Sequence, residues 1–129
     1  MPELRWELVR VLVVDDDPVA NRLAAACLKK LGCQVMLCTN GRDAVDALRI
    51  YNFDICFMDI MMPIMNGIEA AQIIRDDITR VLPIIAVTSS NMKATKEKCV
   101  DVGMNDFITK PLTVEILNDV VARYALRHP

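Results

Sequence analysis

Acidic side chains stand where two apolar runs stop. Asp15-Asp16-Asp17 follow the run Val9 to Val14, and Asp59 follows Ile55-Cys56-Phe57-Met58. Two further runs end in Thr88 and in Lys110-Pro111. An acidic nucleophile, an acidic cluster, a hydroxyl and a lysine suit a phosphoryl-accepting site. Two carboxylates about 4 Å apart repel by roughly 4 kcal/mol at an effective dielectric near 20, so the cluster must take up a proton or a cation. A hard divalent ion answers that need, and Mg²⁺ is typically held by one or two carboxylates plus phosphate oxygens and water. Lys110 supplies a point positive charge for a phosphoryl group, and Thr88 a hydroxyl donor for another of its oxygens. Phosphoryl transfer is chiefly positioning and charge neutralisation, and a carboxylate such as Asp59 can form an acyl phosphate.

Each of these residues also has a plain structural reading. Asp16 and Asp17 precede Pro18 and could cap a helix N-terminus. Asp59 alone could be a loop carboxylate, Thr88 a strand-end residue and Lys110 a solvated one. Their joint placement at four strand ends favours the site, except for Asp17, which is better suited to capping. Met58, Met61, Met62 and Met65 read as packing and loop residues, not ligands.

The elements that must position these residues alternate regularly. Strands are expected at 9–14, 33–38, 54–58, 83–87 and 106–109. Helices are expected at 18–31, 40–51, 67–76, 92–102 and 113–126. Pro18 suits a first helical turn, and Gly32 and Gly103 suit the position after a helix end. Asn40-Gly41 could mark a hairpin, but the spacing of Ala44, Val45 and Leu48 favours entry into a helix. The run from Pro83 to Val87 is apolar throughout, as in a strand buried on both faces. The last helix turns Ile116, Leu117, Val120, Val121 and Tyr124 inward. Alternating strands and helices imply a parallel sheet covered on both faces, with sites outside the carboxyl ends of the strands. Asp15, Asp16, Asp59, Thr88 and Lys110 all fall at that edge.

With 129 residues the chain is expected to be one domain, 1–129 with a core of about 9–126, and 53% apolar residues are enough to fold it. A net charge of −2 with scattered Lys and Arg speaks against direct nucleic-acid binding. No stretch approaches the roughly 20 apolar residues of a membrane span, and the N-terminus does not read as a signal peptide, so a cytoplasmic domain without membrane contact is expected. The five cysteines, Cys27, Cys33, Cys38, Cys56 and Cys99, lack metal-ligand spacing and read as reduced packing residues.

Val11-Leu12-Val13-Val14-Asp15-Asp16-Asp17-Pro18, Met58-Asp59-Ile60-Met61-Met62-Pro63-Ile64-Met65-Asn66-Gly67, Val87-Thr88-Ser89 and Gly103 to Leu112 give the chain its resemblance to response-regulator receiver domains, over nearly its whole length. The resemblance implies a flavodoxin-like (βα)5 three-layer α/β sandwich with strand order 2-1-3-4-5. It implies that Asp59 takes phosphate from a histidine kinase or histidine phosphotransfer domain. Asp16, Asp59 and the backbone carbonyl of Met61 would hold Mg²⁺, or Mn²⁺ in its place, with Asp15 acting through water. Lys110 would touch the phosphoryl group, and the Lys110–Pro111 bond would be cis. Thr88 would move toward the phosphate while Phe107 repacks inward, altering the face made by the fourth helix, fifth strand and fifth helix; a homodimer or adjoining domains would use that face. Ser89 would be the small residue beside the carboxylate. Phe107 stands where tyrosine or histidine is also usual, and Met61 and Ser90 occupy positions that influence phosphate lifetime.

The segments Met58 to Pro63 and Ala94 to Cys99 resemble receivers of hybrid histidine kinases, and kinase activity is expected only of such a longer protein. Only Arg127-His128-Pro129 follow the last expected helix, so no output domain is expected within the chain. Two alternatives are carried forward. One is a receiver-like interaction module that is not phosphorylated. The other is a haloacid-dehalogenase-type phosphatase using Asp15-Asp16-Asp17 as an Asp-x-Asp motif, although strand five ends in Lys110 where that family needs acids.

Overall fold

A computed structural model describes residues 9–89 and 93–125. In chain order the elements are β1 (Arg10–Val14), α1 (Pro18–Lys30), β2 (Gln34–Cys38), α2 (Gly41–Ile50), β3 (Ile55–Asp59), α3 (Gly67–Ile73), β4 (Ile84–Thr88), α4 (Lys93–Asp101), β5 (Asp106–Thr109) and α5 (Val114–Tyr124). The strands form one parallel sheet in the order β2-β1-β3-β4-β5. This is the expected flavodoxin-like three-layer α/β arrangement.

Alternation along the strands sorts the core into two. Leu12, Val14, Cys56, Met58, Ile84 and Ala86 face α2, α3 and α4. Val11, Val13, Ile55, Phe57, Ile85 and Val87 face α1 and α5, meeting Leu28, Leu117 and Val121. Every residue of β3 and β4 is buried, as the unbroken apolar run in β4 requires. Of the five inward residues expected on α5, Leu117, Val120 and Val121 are buried, while Ile116 and Tyr124 pack at its margin.

Most element ends differ from expectation by one residue, within ordinary fraying. Two differences go beyond this. Asp59 and Thr88 belong to β3 and β4 rather than following them, Asp59 pairing with Val87 and Thr88 with Thr109. The third helix, expected to run to Asp76, stops at Ile73 and continues as a π-helical turn over Ile74–Ile78. That wider turn buries Ile74 and Arg75 side by side. The Arg75 guanidinium donates to the carbonyls of Gly103, Thr79 and Leu82 and to Asn105 Oδ1. A phase shift of this kind is invisible to a 3.6-residue period.

The caps follow the sequence. Asp17 caps α1 through the Val19 amide, Asn40 caps α2 through Asp43, and Thr113 caps α5 through Ile116. Asn66 and Glu69 form a capping box at α3. Gly32 and Gly103 take positive φ after α1 and α4. The expected start of the fourth helix at Met92 and end of the fifth at Leu126 lie outside the described residues, as does Ser90.

Candidate functional site

The parallel register brings the carboxyl ends of β1, β3, β4 and β5 to one edge, and there the expected residues converge. Asp59, last in β3, is buried, and its Oδ1 accepts the Met61 amide at 3.1 Å. Asp15, just past β1, is also buried; its Oδ1 accepts the Asp17 amide at 2.9 Å. Lys110 reaches back from the end of β5, its Nζ 2.7 Å from Asp15 Oδ2 and 3.3 Å from Asp59 Oδ2. Thr88 is buried at the end of β4, its carbonyl accepting the Lys110 amide at 2.8 Å. Asp16 is exposed, yet Asp15, Asp16 and Asp59 each place a carboxylate oxygen within 4.8 Å of the others. Ser89 is exposed beside them, and the Lys110–Pro111 bond is cis, as expected.

Charge divides this group unevenly. Burial pushes the Asp59 carboxyl above its ordinary value; the Met61 amide opposes this, the charge of Asp15 adds to it, and Lys110 offsets only part. Burial pulls the Lys110 ammonium down, but the hydrogen bond to Asp15 and the charges of both carboxylates outweigh it and the net direction is up. Lys110 is therefore the counter-ion chiefly of Asp15, its nearer partner, and Asp59 bears the cost of burial. Two buried carboxylates and an exposed one around a single point, open on the Asp16 side, match the oxygen-rich, partly hydrated coordination of a hard divalent cation.

Asp17 does what its position suggested: its carboxylate accepts the Val19 amide at 2.9 Å. An Asp-x-Asp phosphatase would need that carboxylate as an acid and Asp15 as a nucleophile. Here one is a cap and the other is tied to Lys110, so the arrangement does not support that alternative.

Two glycines shape the site beyond what the spacing reveals. A Cβ on Gly67 would lie 2.2 Å from the Asp59 carbonyl oxygen and 2.9 Å from Ile60 Cα, so α3 can begin directly against the end of β3 only with glycine. A Cβ on Gly41 would lie 2.5 Å from the Met65 carbonyl, which instead accepts the Gly41 amide at 2.9 Å. The only signal for either was a glycine at a first helical position, where propensity disfavours it. Within the intervening loop Met61 and Ile64 are exposed, and Ile64 takes φ 70. On the other side of the acids, Val19 and Leu23 of α1 stand exposed at a groove of about 340 Å³ floored by Phe57 and Val87 and bordered by Asp15 and Lys110.

Phe107 lies on β5, half-buried against the α2–α4 side of the core, with Lys96 Nζ 5.3 Å from its ring centre. The methionines act as expected: Met58 is in the core and Met62 and Met65 pack against it, leaving Met61 exposed. All five cysteines are free thiols, and only Cys27 is not buried. Among the described residues no helix is long and apolar enough to cross a membrane.

Comparison with known proteins extends this picture. Residues 11–122 match the response regulator receiver domain family. The chain is 39% identical over 115 residues to the signal transduction histidine-protein kinase BarA of Shigella flexneri, covering 88% of the chain and 12% of that protein. It is 37% identical over 133 residues to the probable histidine kinase 6 of Oryza sativa, covering 88% of the chain and 14% of that protein. The chain thus corresponds to a small part of these relatives. Among solved structures, the receiver domain of a sensor histidine kinase from Pseudomonas aeruginosa, with a magnesium ion coordinated in its active site cleft, superposes with a TM-score of 0.84 at 32% identity, covering 91% of this chain and 97% of that one. The receiver domain of a Saccharomyces cerevisiae response regulator, in complex with a histidine phosphotransfer protein, gives a TM-score of 0.85 at 29% identity, covering 92% and 89%.

Proposed function

The chain belongs to the response regulator receiver domain family of two-component and phosphorelay signalling, and from that premise we propose that Asp59 is its phosphoacceptor. The observation that carries this reading is the convergence of Asp59, Lys110, Asp15, Asp16 and Thr88 at one sheet edge. A carboxylate oxygen of Asp59 attacks the phosphorus of a phosphohistidine on a histidine kinase or phosphotransfer domain. The N–P bond breaks, its electron pair stays on the imidazole, and an aspartyl phosphate results. Asp16, Asp59 and the Met61 carbonyl would hold Mg²⁺, with Asp15 contributing through water. The ion supplies charge neutralisation for the phosphoryl oxygens when bound.

The chain's own residues supply the rest. Lys110 exchanges its carboxylate partners for a phosphoryl oxygen, and the Thr88 hydroxyl donates to another. As Thr88 moves, Phe107 turns inward, and the face formed by α4, β5 and α5 changes. That face would then engage a second copy or an adjoining domain. The exposed Val19 and Leu23 beside the groove, and Met61 and Ile64 across the acids, offer an apolar rim for the donor protein.

Labelling with acetyl phosphate and Mg²⁺ tests the assignment. The native chain should be phosphorylated and Asp59→Ala should not. Labelling of Asp59→Ala together with none of Asp15→Ala would overturn it. A receiver-like module that is never phosphorylated would instead show unchanged amide shifts at Thr88 and Phe107 on addition of Mg²⁺ and beryllofluoride.

A further inference from the structure

Asn21 carries the single buried side-chain polar atom that lacks a hydrogen-bond partner among the described residues, its Oδ1. The residue sits on the inward face of α1 with Ala24, Ala25 and Leu28, at 4% exposure. An orphaned buried acceptor is costly, and an alanine or leucine in the same row would not incur that cost. The reason for an asparagine must therefore lie in its amide nitrogen. Nδ2 donates to two backbone carbonyls, Asp15 O at 2.8 Å and Cys38 O at 3.1 Å.

Those two acceptors are not ordinary strand positions. Cys38 O, at the end of β2, also accepts the Asp15 amide at 3.1 Å. The main chain of Asp15 is thus fixed on both sides, its N–H by β2 and its C=O by Asn21. From this short segment the Asp15 carboxylate turns to Lys110 and the Asp17 amide, and the adjoining Asp16 presents its own carboxylate to the same point. Freeing the Asp15 carbonyl would let the segment rotate, and a small rotation moves both carboxylates relative to Asp59.

We propose that Asn21 is a positioning residue for the acidic site, setting the backbone from which Asp15 and Asp16 project; this rests on the reading of the site as a Mg²⁺-dependent phosphoacceptor. A merely structural Asn21 would tie α1 to the sheet and leave metal affinity alone.

The test uses the whole chain with Asn21→Leu, close in shape but without a donor, and Asn21→Ser, whose hydroxyl can still reach one carbonyl. Mg²⁺ affinity is read from amide shifts at Asp16 and Met61, and hydrogen exchange at the Asp17 amide is followed without metal. Asn21→Leu should bind Mg²⁺ about tenfold more weakly, the lower end of the loss seen when a group supporting a metal ligand is removed. Asn21→Ser should recover part of that loss. Exchange at Asp17 should quicken while Ala25 and Leu28 stay protected. Unchanged affinity in both variants, or protection lost evenly along α1, overturns the positioning role. Absence of any Mg²⁺-dependent shift in the native chain overturns the metal-site reading as well.

Discussion

The Lys110 ammonium lies 2.7 Å from Asp15 Oδ2, closer than its 3.3 Å approach to Asp59. In the absence of an ion, Lys110 is the cation that makes the carboxylate cluster tolerable, and an incoming divalent ion competes with it. Lys110→Met should lower stability in metal-free buffer by roughly 1–2 kcal/mol, less than the ~3–5 kcal/mol of a fully buried pair because this lysine is partly exposed. Mg²⁺ should restore most of the loss and bind the variant more tightly than the native chain. Thermal denaturation with and without Mg²⁺ measures both; equal destabilisation in the two buffers would contradict the competition.

Lys96 stands over the Phe107 ring, and α4 has little else to hold it, since Cys99 is its only buried residue among those described. An exposed cation–π contact contributes about 0.5–1 kcal/mol. If Phe107 turns inward on phosphorylation, that contact must break first. Lys96→Ala should then raise the affinity for Mg²⁺ with beryllofluoride by about two- to fivefold, the equivalent of that energy. A calorimetric titration giving the native affinity would show that the contact has no part in the switch.

The cysteines give a pH-dependent prediction. Burial pushes Cys33 from 9.0 to about 11, helped by Asp54, and Cys38 to about 11, helped by Asp43 and Asp46. At pH 8 such a thiol is ionised in roughly one molecule in a thousand. Iodoacetamide should therefore modify the partly exposed Cys27 well before Cys33 or Cys38 in the folded chain, as peptide mass spectrometry would show. The sign for stability follows from the raised values. The contribution is complete below the ordinary pKa of 9.0 and is lost as pH climbs through about 11. Early labelling of Cys33 at pH 8 would show that its site is open.

Ile64 has φ 70, and the Met65 amide donates across it to the Pro63 carbonyl at 2.7 Å, a γ-turn of the rarer, strained sense. A β-branched residue there costs about 1–2 kcal/mol. Ile64→Gly should stabilise the fold by about 0.5–1 kcal/mol after the entropy cost of glycine, whereas Ile64→Ala should not. Urea denaturation of the two variants decides it, and equal midpoints would mean that the turn is not strained.

Strand ends were readable because apolar runs stop abruptly at Asp15 and Lys110, and a parallel sheet sends such ends to one edge. Asp17 was readable as a cap because a proline follows it. What escaped was whatever depends on close approach or on helical phase. Nothing in the spelling of the chain says that Gly67 touches the Asp59 carbonyl. The preference of Lys110 for Asp15 over Asp59 is a matter of tenths of an ångström. Arg75 reads as a solvated helix residue until the π turn rotates it inward, and Asn21 as one more polar residue of α1 until its donors are traced.

Arg75 also has a bearing on how the molecule answers its surroundings. Its guanidinium gathers oxygens from the end of α3, the approach to β4 and the turn before β5, all at the edge of the sheet remote from the acids. A guanidinium keeps its proton throughout the range in which proteins fold, and its acceptors here are uncharged amide oxygens. Salt and mild acid therefore find little to act on in this set of hydrogen bonds. The opposite edge holds three carboxylates and an ammonium, whose balance any small ion can tip. The Arg75 cluster is thus deaf to its ionic environment, while the acidic site answers it.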